Sequence, residues 1–151
     1  MDFIELIDSY REDIIKSTQE IVRIKSVEGE KKPNMPFGEG VYLALDYALK
    51  LAKDMGFKIK NLDNYAGHAE MGEGDETVGI LVHLDVVPEG DGWTYPPFGG
   101  EIHEGKIYGR GTIDNKGPAI ACLYAMKALK EAGVDLNRKI RIIFGTNEES
   151  G

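Results

Sequence analysis

Cysteine is nearly missing from this sequence. Cys122 is the only one in 151 residues, which rules out a disulfide within the chain and suits a reducing compartment, so the cytoplasm is the expected location. Long apolar runs are missing too, and nothing approaches the roughly 18 consecutive apolar residues of a membrane span. The opening MDFIELIDSYRED scatters acids among its apolar residues, unlike the basic start and unbroken apolar core of a secretion signal. Basic residues are outnumbered 18 to 26, for a net charge of −8. A surface of that sign argues against nucleic acid and anionic membranes as partners and favours a small soluble substrate. There is no internal repeat and no low-complexity tract, and the length suits one domain around one core.

What is present is a clear alternation of periodicities. Phe3, Ile7, Tyr10, Ile14 and Ile21, with Leu6, Ile15 and Val22 beside them, recur at three- and four-residue intervals, so residues 2–25 read as one amphipathic helix. SVEGEKKPNMPFGEG, with two prolines and three glycines, breaks it. A second helix is predicted from Gly40 to Met55, stopped by Gly56, with a strand following over 57–61. TVGILVHLD is continuously apolar and reads as a strand inside a sheet covered on both sides by helices. GEIHEGKIYGRG predicts a hairpin around Glu104-Gly105, Pro118 the first turn of a helix reaching Ala132 before Gly133, and residues 139–144 a last strand. The fold class expected is α/β, with a mixed, largely parallel sheet flanked by helices, and ligands in such sheets bind beyond the carboxyl ends of the strands.

Three polar clusters follow these elements: His83 with Asp85, Asp114 within GRGTIDNKGP, and Glu148-Glu149. Each alone has a bland explanation, as a hydrogen bond at a strand end or an acid at a helix N-terminus. Together they supply an imidazole nitrogen and several carboxylate oxygens, a set that suits zinc, or manganese or cobalt in its place. Positions 83 and 85 project from the same face of a strand, which makes His83 a ligand and Asp85 the group that orients its ring. Adjacent glutamates point apart on an extended backbone, so Glu148 and Glu149 divide two tasks, one holding metal and one handling protons. A metal-activated water beside a carboxylate implies hydrolysis of an amide.

HLDVVPEGDGW, GRGTIDNKGP and GTNEESG resemble the three metal-site motifs of the zinc amidohydrolase family that includes carnosinases, aminoacylases and glutamate carboxypeptidases. Within it, NYAG and TNEES are similar to the PepV-type bacterial dipeptidases. The resemblance implies that His83 binds one metal, Asp114 bridges two, Glu149 binds the second, Glu148 is general base and acid, and Asp85 orients His83. It also implies a cis peptide at Asp114-Asn115 and hydrolysis of dipeptides with a free N-terminus. Two metals sharing one ligand need roughly five ligating residues. The chain offers three, so residues 1–151 are expected to be the N-terminal part of the catalytic domain, without the family's lid domain. The remaining ligands are then expected beyond Gly151, and the chain alone should be nearly inactive. The competing readings are an N-acyl amino acid deacylase or desuccinylase with a similar site, and a non-catalytic truncated binding module.

Other residues are set aside. His68 and His103 read as solvated histidines on surface strands. Cys122 shares a helix face with Ala119, Ala125, Met126 and Leu129 and reads as a buried, inert thiol. The glycines of YGRGTIDNKG fit no phosphate-binding pattern and give the backbone room beside Asp114. Trp93, Tyr95, Phe98 and Pro96-Pro97 fit either a substrate wall or a loop packed on its own domain, and are left out of the site.

Overall fold

The computed structural model describes residues 3–151. The predicted N-terminal helix is two helices, α1 (Phe3–Ser9) and α2 (Arg11–Val22), and its first expected residue, Asp2, lies outside the described residues. The break has a local cause. The Ser9 hydroxyl donates to the Leu6 carbonyl at 2.6 Å and the Tyr10 amide bonds back only three residues, to Ile7, so the α-helical ladder is interrupted there. The turn lets Tyr10 bury its ring against Tyr124, centroids 5.9 Å apart, while its hydroxyl donates to the Glu131 carboxylate. Burial, then the Glu131 contact, push that phenol up to about 12.

Helix α3 (Glu39–Asp54) presents Val41, Ala44, Leu45, Ala48, Leu49 and Ala52 as its buried stripe, the alanines allowing close approach. The strands are β1 (Lys58–Leu62), β2 (Ala66–Met71), β3 (Thr77–His83), β4 (Glu101–His103), β5 (Lys106–Tyr108) and β6 (Lys139–Gly145), with α4 (Lys116–Glu131) before the last. Four strands form a sheet in the order β1-β2-β6-β3. Strand β6 lies antiparallel to β2 and parallel to β3, and β1 lies antiparallel to β2. The sheet is mixed, as expected, but two of its three pairings are antiparallel, which corrects the expectation of a largely parallel one.

Both helices that cover the sheet lie on one face. There α3 sets Leu45 and Leu49 over Gly67, α4 packs against β3 and β6, and Ile142 and Phe144 are fully buried. On the opposite face Leu81 is 77% exposed. Strand β3 is therefore an edge strand covered on one side among the described residues, and the two-sided cover read from its apolar run is corrected. That run signals a partner for its outer face, which the described residues do not supply.

Strands β4 and β5 form the expected hairpin, with positive φ at both turn residues, Glu104 (51°) and Gly105 (74°). It is tied to α2 through Gln19 Nε2 to the Gly100 carbonyl at 2.6 Å and Arg23 Nε to the Gly99 carbonyl at 3.0 Å. Among the described residues no helix is long and apolar enough to cross a membrane.

The one-sided sheet makes a direct prediction. Phe144→Ala should cost about 3–5 kcal/mol of unfolding free energy, whereas Leu81→Ser on the open face should stay within about 0.5 kcal/mol. Urea titration of the two variants checks this, and comparable losses would contradict the assignment of faces.

Candidate metal centre

The parallel pairing of β3 with β6 builds the centre. Its register sets His83 opposite Gly145, and the Leu84 amide continues the ladder to the Gly145 carbonyl at 3.0 Å. Both strands therefore end on the same side, and the segment after β6 that carries Glu148 and Glu149 emerges beside His83. Asp114 arrives from the turn before α4. The next residue, Asn115, accepts the His83 amide on its Oδ1 at 3.2 Å, and the Asp114-Asn115 peptide bond is cis.

His83 Nε2 stands 2.9 Å from Asp114 Oδ1 and 3.7 Å from Glu148 Oε2. One ligand atom each from His83, Asp114 and Glu149 lie within 4.8 Å of one another. All five residues singled out from the sequence thus gather at one end of the β3–β6 pair, with the two glutamates differently placed. Glu149 joins His83 and Asp114, while Glu148 stands at the edge of the group in an open cleft.

Asp85 does more than its expected task. Behind the ring, His83 Nδ1 is 3.0 Å from the Asp85 main-chain carbonyl and 3.5 Å from its carboxylate Oδ1, so the carbonyl is the nearer partner. The carboxylate is buried, and its Oδ2 accepts the Glu149 amide at 2.9 Å. One residue therefore fixes the ring of His83 and the backbone of Glu149 together. A carbonyl acceptor at Nδ1 leaves Nε2 to face Asp114 and Glu148.

The electrostatics fit a cation. Asp85, Asp114, Glu148 and Glu149 crowd around a single imidazole, and the buried Asp85 Oδ1 has no hydrogen-bond partner among the described residues. Burial draws His83 toward its neutral form, but the Asp114 hydrogen bond, the Asp85 carbonyl and the charges of Asp85 and Glu148 outweigh it and raise the pKa above 6.5. Nitrogen and oxygen donors without cysteine suit zinc, manganese or cobalt.

Two open clefts flank the His83–Asp114 contact. One, of about 490 Å³, runs from Trp93 and Tyr108 past Arg110 to Asp114. The other, of about 500 Å³, is lined by Phe37, Tyr65, Leu81, His83 and Glu148. Gly117 shows why this turn is rich in glycine, since a Cβ there would sit 2.0 Å from the Thr112 carbonyl oxygen. Lys116, the first residue of α4, is fully buried, and burial pulls its ammonium down to about 7. Neither Lys116 nor Asn115 stands out in the sequence, because both follow Asp114 in what reads as an ordinary polar helix start.

The residues set aside fall elsewhere. His68 is half-buried in β2, its Nδ1 has no hydrogen-bond partner among the described residues, and burial lowers its pKa, which corrects the reading of a solvated side chain. His103 stacks on Tyr95 at 3.6 Å and meets Glu101 at 2.8 Å. Cys122 is partly buried on α4, and burial raises its pKa. Trp93 donates to the Glu89 carbonyl at 2.8 Å, and Phe98 lies under the Lys25 ammonium.

In the metal-free chain the protonated His83–Asp114 pair stabilises the fold fully below pH 6.5, and that stability is lost as pH rises through the raised value. NMR titration should find His83 above 6.5 and should find it lowered by Asp114→Asn. An unchanged value in the variant would contradict the contact.

Residues 79–151 match the peptidase family M20/M25/M40. Over 93% of its length the chain is 52% identical to YtjP of Bacillus subtilis (strain 168), a provisionally named dipeptidase, and covers 31% of it. Over 99% of its length it is 43% identical to a beta-Ala-Xaa dipeptidase of Lactobacillus delbrueckii subsp. lactis, covering 33% of that protein. The fold matches human carnosine dipeptidase 1 with a TM-score of 0.84 at 28% identity, covering 99% of this chain and 35% of that one. The chain thus spans about a third of the length of the curated relatives it matches. With its three motifs in order and gathered at one end of a matching fold, the chain resembles the peptidase family M20/M25/M40, whose pattern it matches over residues 79–151.

Proposed function

We propose that residues 1–151 form the N-terminal part of the catalytic domain of a zinc-dependent dipeptidase, cleaving the amide bond of short peptides with a free N-terminus. The observation that carries this reading is the convergence of His83, Asp114 and Glu149 within 4.8 Å, with Glu148 standing 3.7 Å from His83 Nε2. The names of the relatives, dipeptidases of two bacteria and a human carnosine dipeptidase, support the substrate class. The donor set supports zinc, with manganese or cobalt as chemically similar occupants. A single cysteine, with its thiol left unpaired, fits a cytoplasmic setting.

In this reading His83 and Glu149 would each hold an ion and Asp114 would be a ligand shared by both. Bound there, a divalent metal would supply Lewis acidity toward water and an amide carbonyl. The chain's own residues do the rest. Glu148 takes the proton from the attacking water and returns it to the leaving amine, a task suited to a carboxylate with solvent access beside the ligand cluster. Asp85 keeps His83 turned so that Nε2 faces the centre and, through the Glu149 amide, keeps that ligand in reach. The remaining two ligands of a two-ion site are proposed to come from sequence beyond Gly151, so the chain alone binds metal weakly and turns over little or no substrate.

The test compares the purified chain with a full-length protein carrying the same residues, on β-alanyl dipeptides, ordinary dipeptides and N-acetyl amino acids. The full-length protein should cleave dipeptides in preference, and Glu148→Gln should lower its kcat by about 10²–10⁴ while leaving zinc bound. His83→Ala should lose the zinc. Preference for N-acetyl amino acids, or zinc-dependent turnover by the chain alone at the full-length rate, would contradict the proposal.

A further inference from the structure

Residues 24–26, the three positions after Arg23 at the C-terminal cap of α2, touch two of the three segments that carry the cluster. The Ile24 carbonyl accepts the Lys116 Nζ at 2.6 Å. The Ser26 hydroxyl donates to the Leu84 carbonyl at 2.6 Å, and the Ser26 carbonyl accepts the Val86 amide at 3.0 Å. Lys116 stands two residues after Asp114. Leu84 lies between His83 and Asp85, and Val86 follows Asp85. A short stretch far from the cluster in sequence is therefore bonded on one side to the turn of the Asp114 segment and on the other to the end of β3.

Two features argue that these bonds set geometry and do not merely fill space. The side chains of Ser26 and Lys116 are both fully buried. A buried amine is expensive to keep where an aliphatic chain of similar length would fill the same volume, so its hydrogen bond is what distinguishes it. The stretch is also backed rigidly from behind. Gly40, in the first turn of α3, leaves so little room that a Cβ would come within 1.9 Å of the Lys25 carbonyl oxygen. Helix α3 thus packs directly against the backbone of residues 25–26.

We propose that Ile24–Ser26 is a strap that sets the separation of the His83 and Asp114 segments, with Lys116 and Ser26 as its positioning residues. The proposal rests on the reading of His83, Asp114 and Glu149 as a metal centre. Neither residue touches the reacting atoms. Each acts through the backbone of its segment, Ser26 by holding the strand end around Leu84 and Lys116 by anchoring the start of α4.

Hydrogen exchange of the metal-free chain tests the strap without any bound ion. In Ser26→Ala and in Lys116→Met, exchange should accelerate at the amides of Val86, Lys116 and Glu149, which bond to Ser26, Gly111 and Asp85 respectively. The Ile142 and Phe144 amides in β6 should keep their rates, since the core does not depend on the strap. Zinc affinity, measured by chelator competition, should fall by about tenfold in each variant, and the double variant should lose less than the two losses combined. Unchanged rates at the three amides would overturn the strap, as would acceleration of all five amides in proportion to a loss of global stability. If the unsubstituted chain binds no zinc, the metal reading fails, and the exchange pattern still decides whether the strap holds these segments.

Discussion

The parallel ladder between β3 and β6 is the constraint on which the rest depends. Its register, with His83 opposite Gly145, brings together two chain ends that are otherwise unrelated in sequence and turns them the same way. Had the pair been antiparallel, the Glu148-Glu149 segment would leave from the far end of the sheet and no cluster could form. Register also fixes which face each residue uses, because a slip of one residue would exchange Ile142 and Phe144 for Arg141 and Ile143 on the side packed by helices. The apolar burial on that side therefore holds the centre in place as well as stabilising the fold.

Onto this pair the chain adds contacts that each serve two groups. Asp85 holds the ring of His83 from behind and the amide of Glu149 from below, and Asn115 meets the His83 amide while following Asp114 directly. Glycine makes the turn possible at Gly117, where the Thr112 carbonyl approaches too closely for any side chain. The resulting excess of carboxylates around one imidazole is unfavourable without a cation. The raised pKa of His83 is the metal-free expression of that excess.

Much of this was legible in the sequence because it lies in local pattern. The apolar period of α3, the Glu104-Gly105 turn and the ends of β3 at His83 and of β6 near Phe144 follow from residues adjacent in the chain. The motif resemblance added the cis Asp114-Asn115 bond, which no periodicity could suggest. What escaped was decided by pairing at a distance. The antiparallel majority of the sheet depends on β2 entering between β1 and β6, and the exposure of Leu81 depends on β3 lying at the edge. An apolar run records that a strand is meant to be covered and is silent on what covers it. The break at Tyr10 escaped because its residues keep the helical period while Ser9 turns its hydroxyl back onto the Leu6 carbonyl. The roles of Ser26 and Lys116 escaped because buried polar contacts between distant segments leave no spacing to read.

The central claim is that this chain supplies one imidazole and two carboxylates to a divalent ion. X-ray absorption at the zinc edge of the zinc-loaded chain tests it most directly. The account predicts a shell of nitrogen and oxygen scatterers containing one imidazole, which disappears in His83→Ala and keeps its imidazole signature in His68→Ala and His103→Ala. A sulfur scatterer from Cys122, or an imidazole signal that survives the loss of His83, would contradict it.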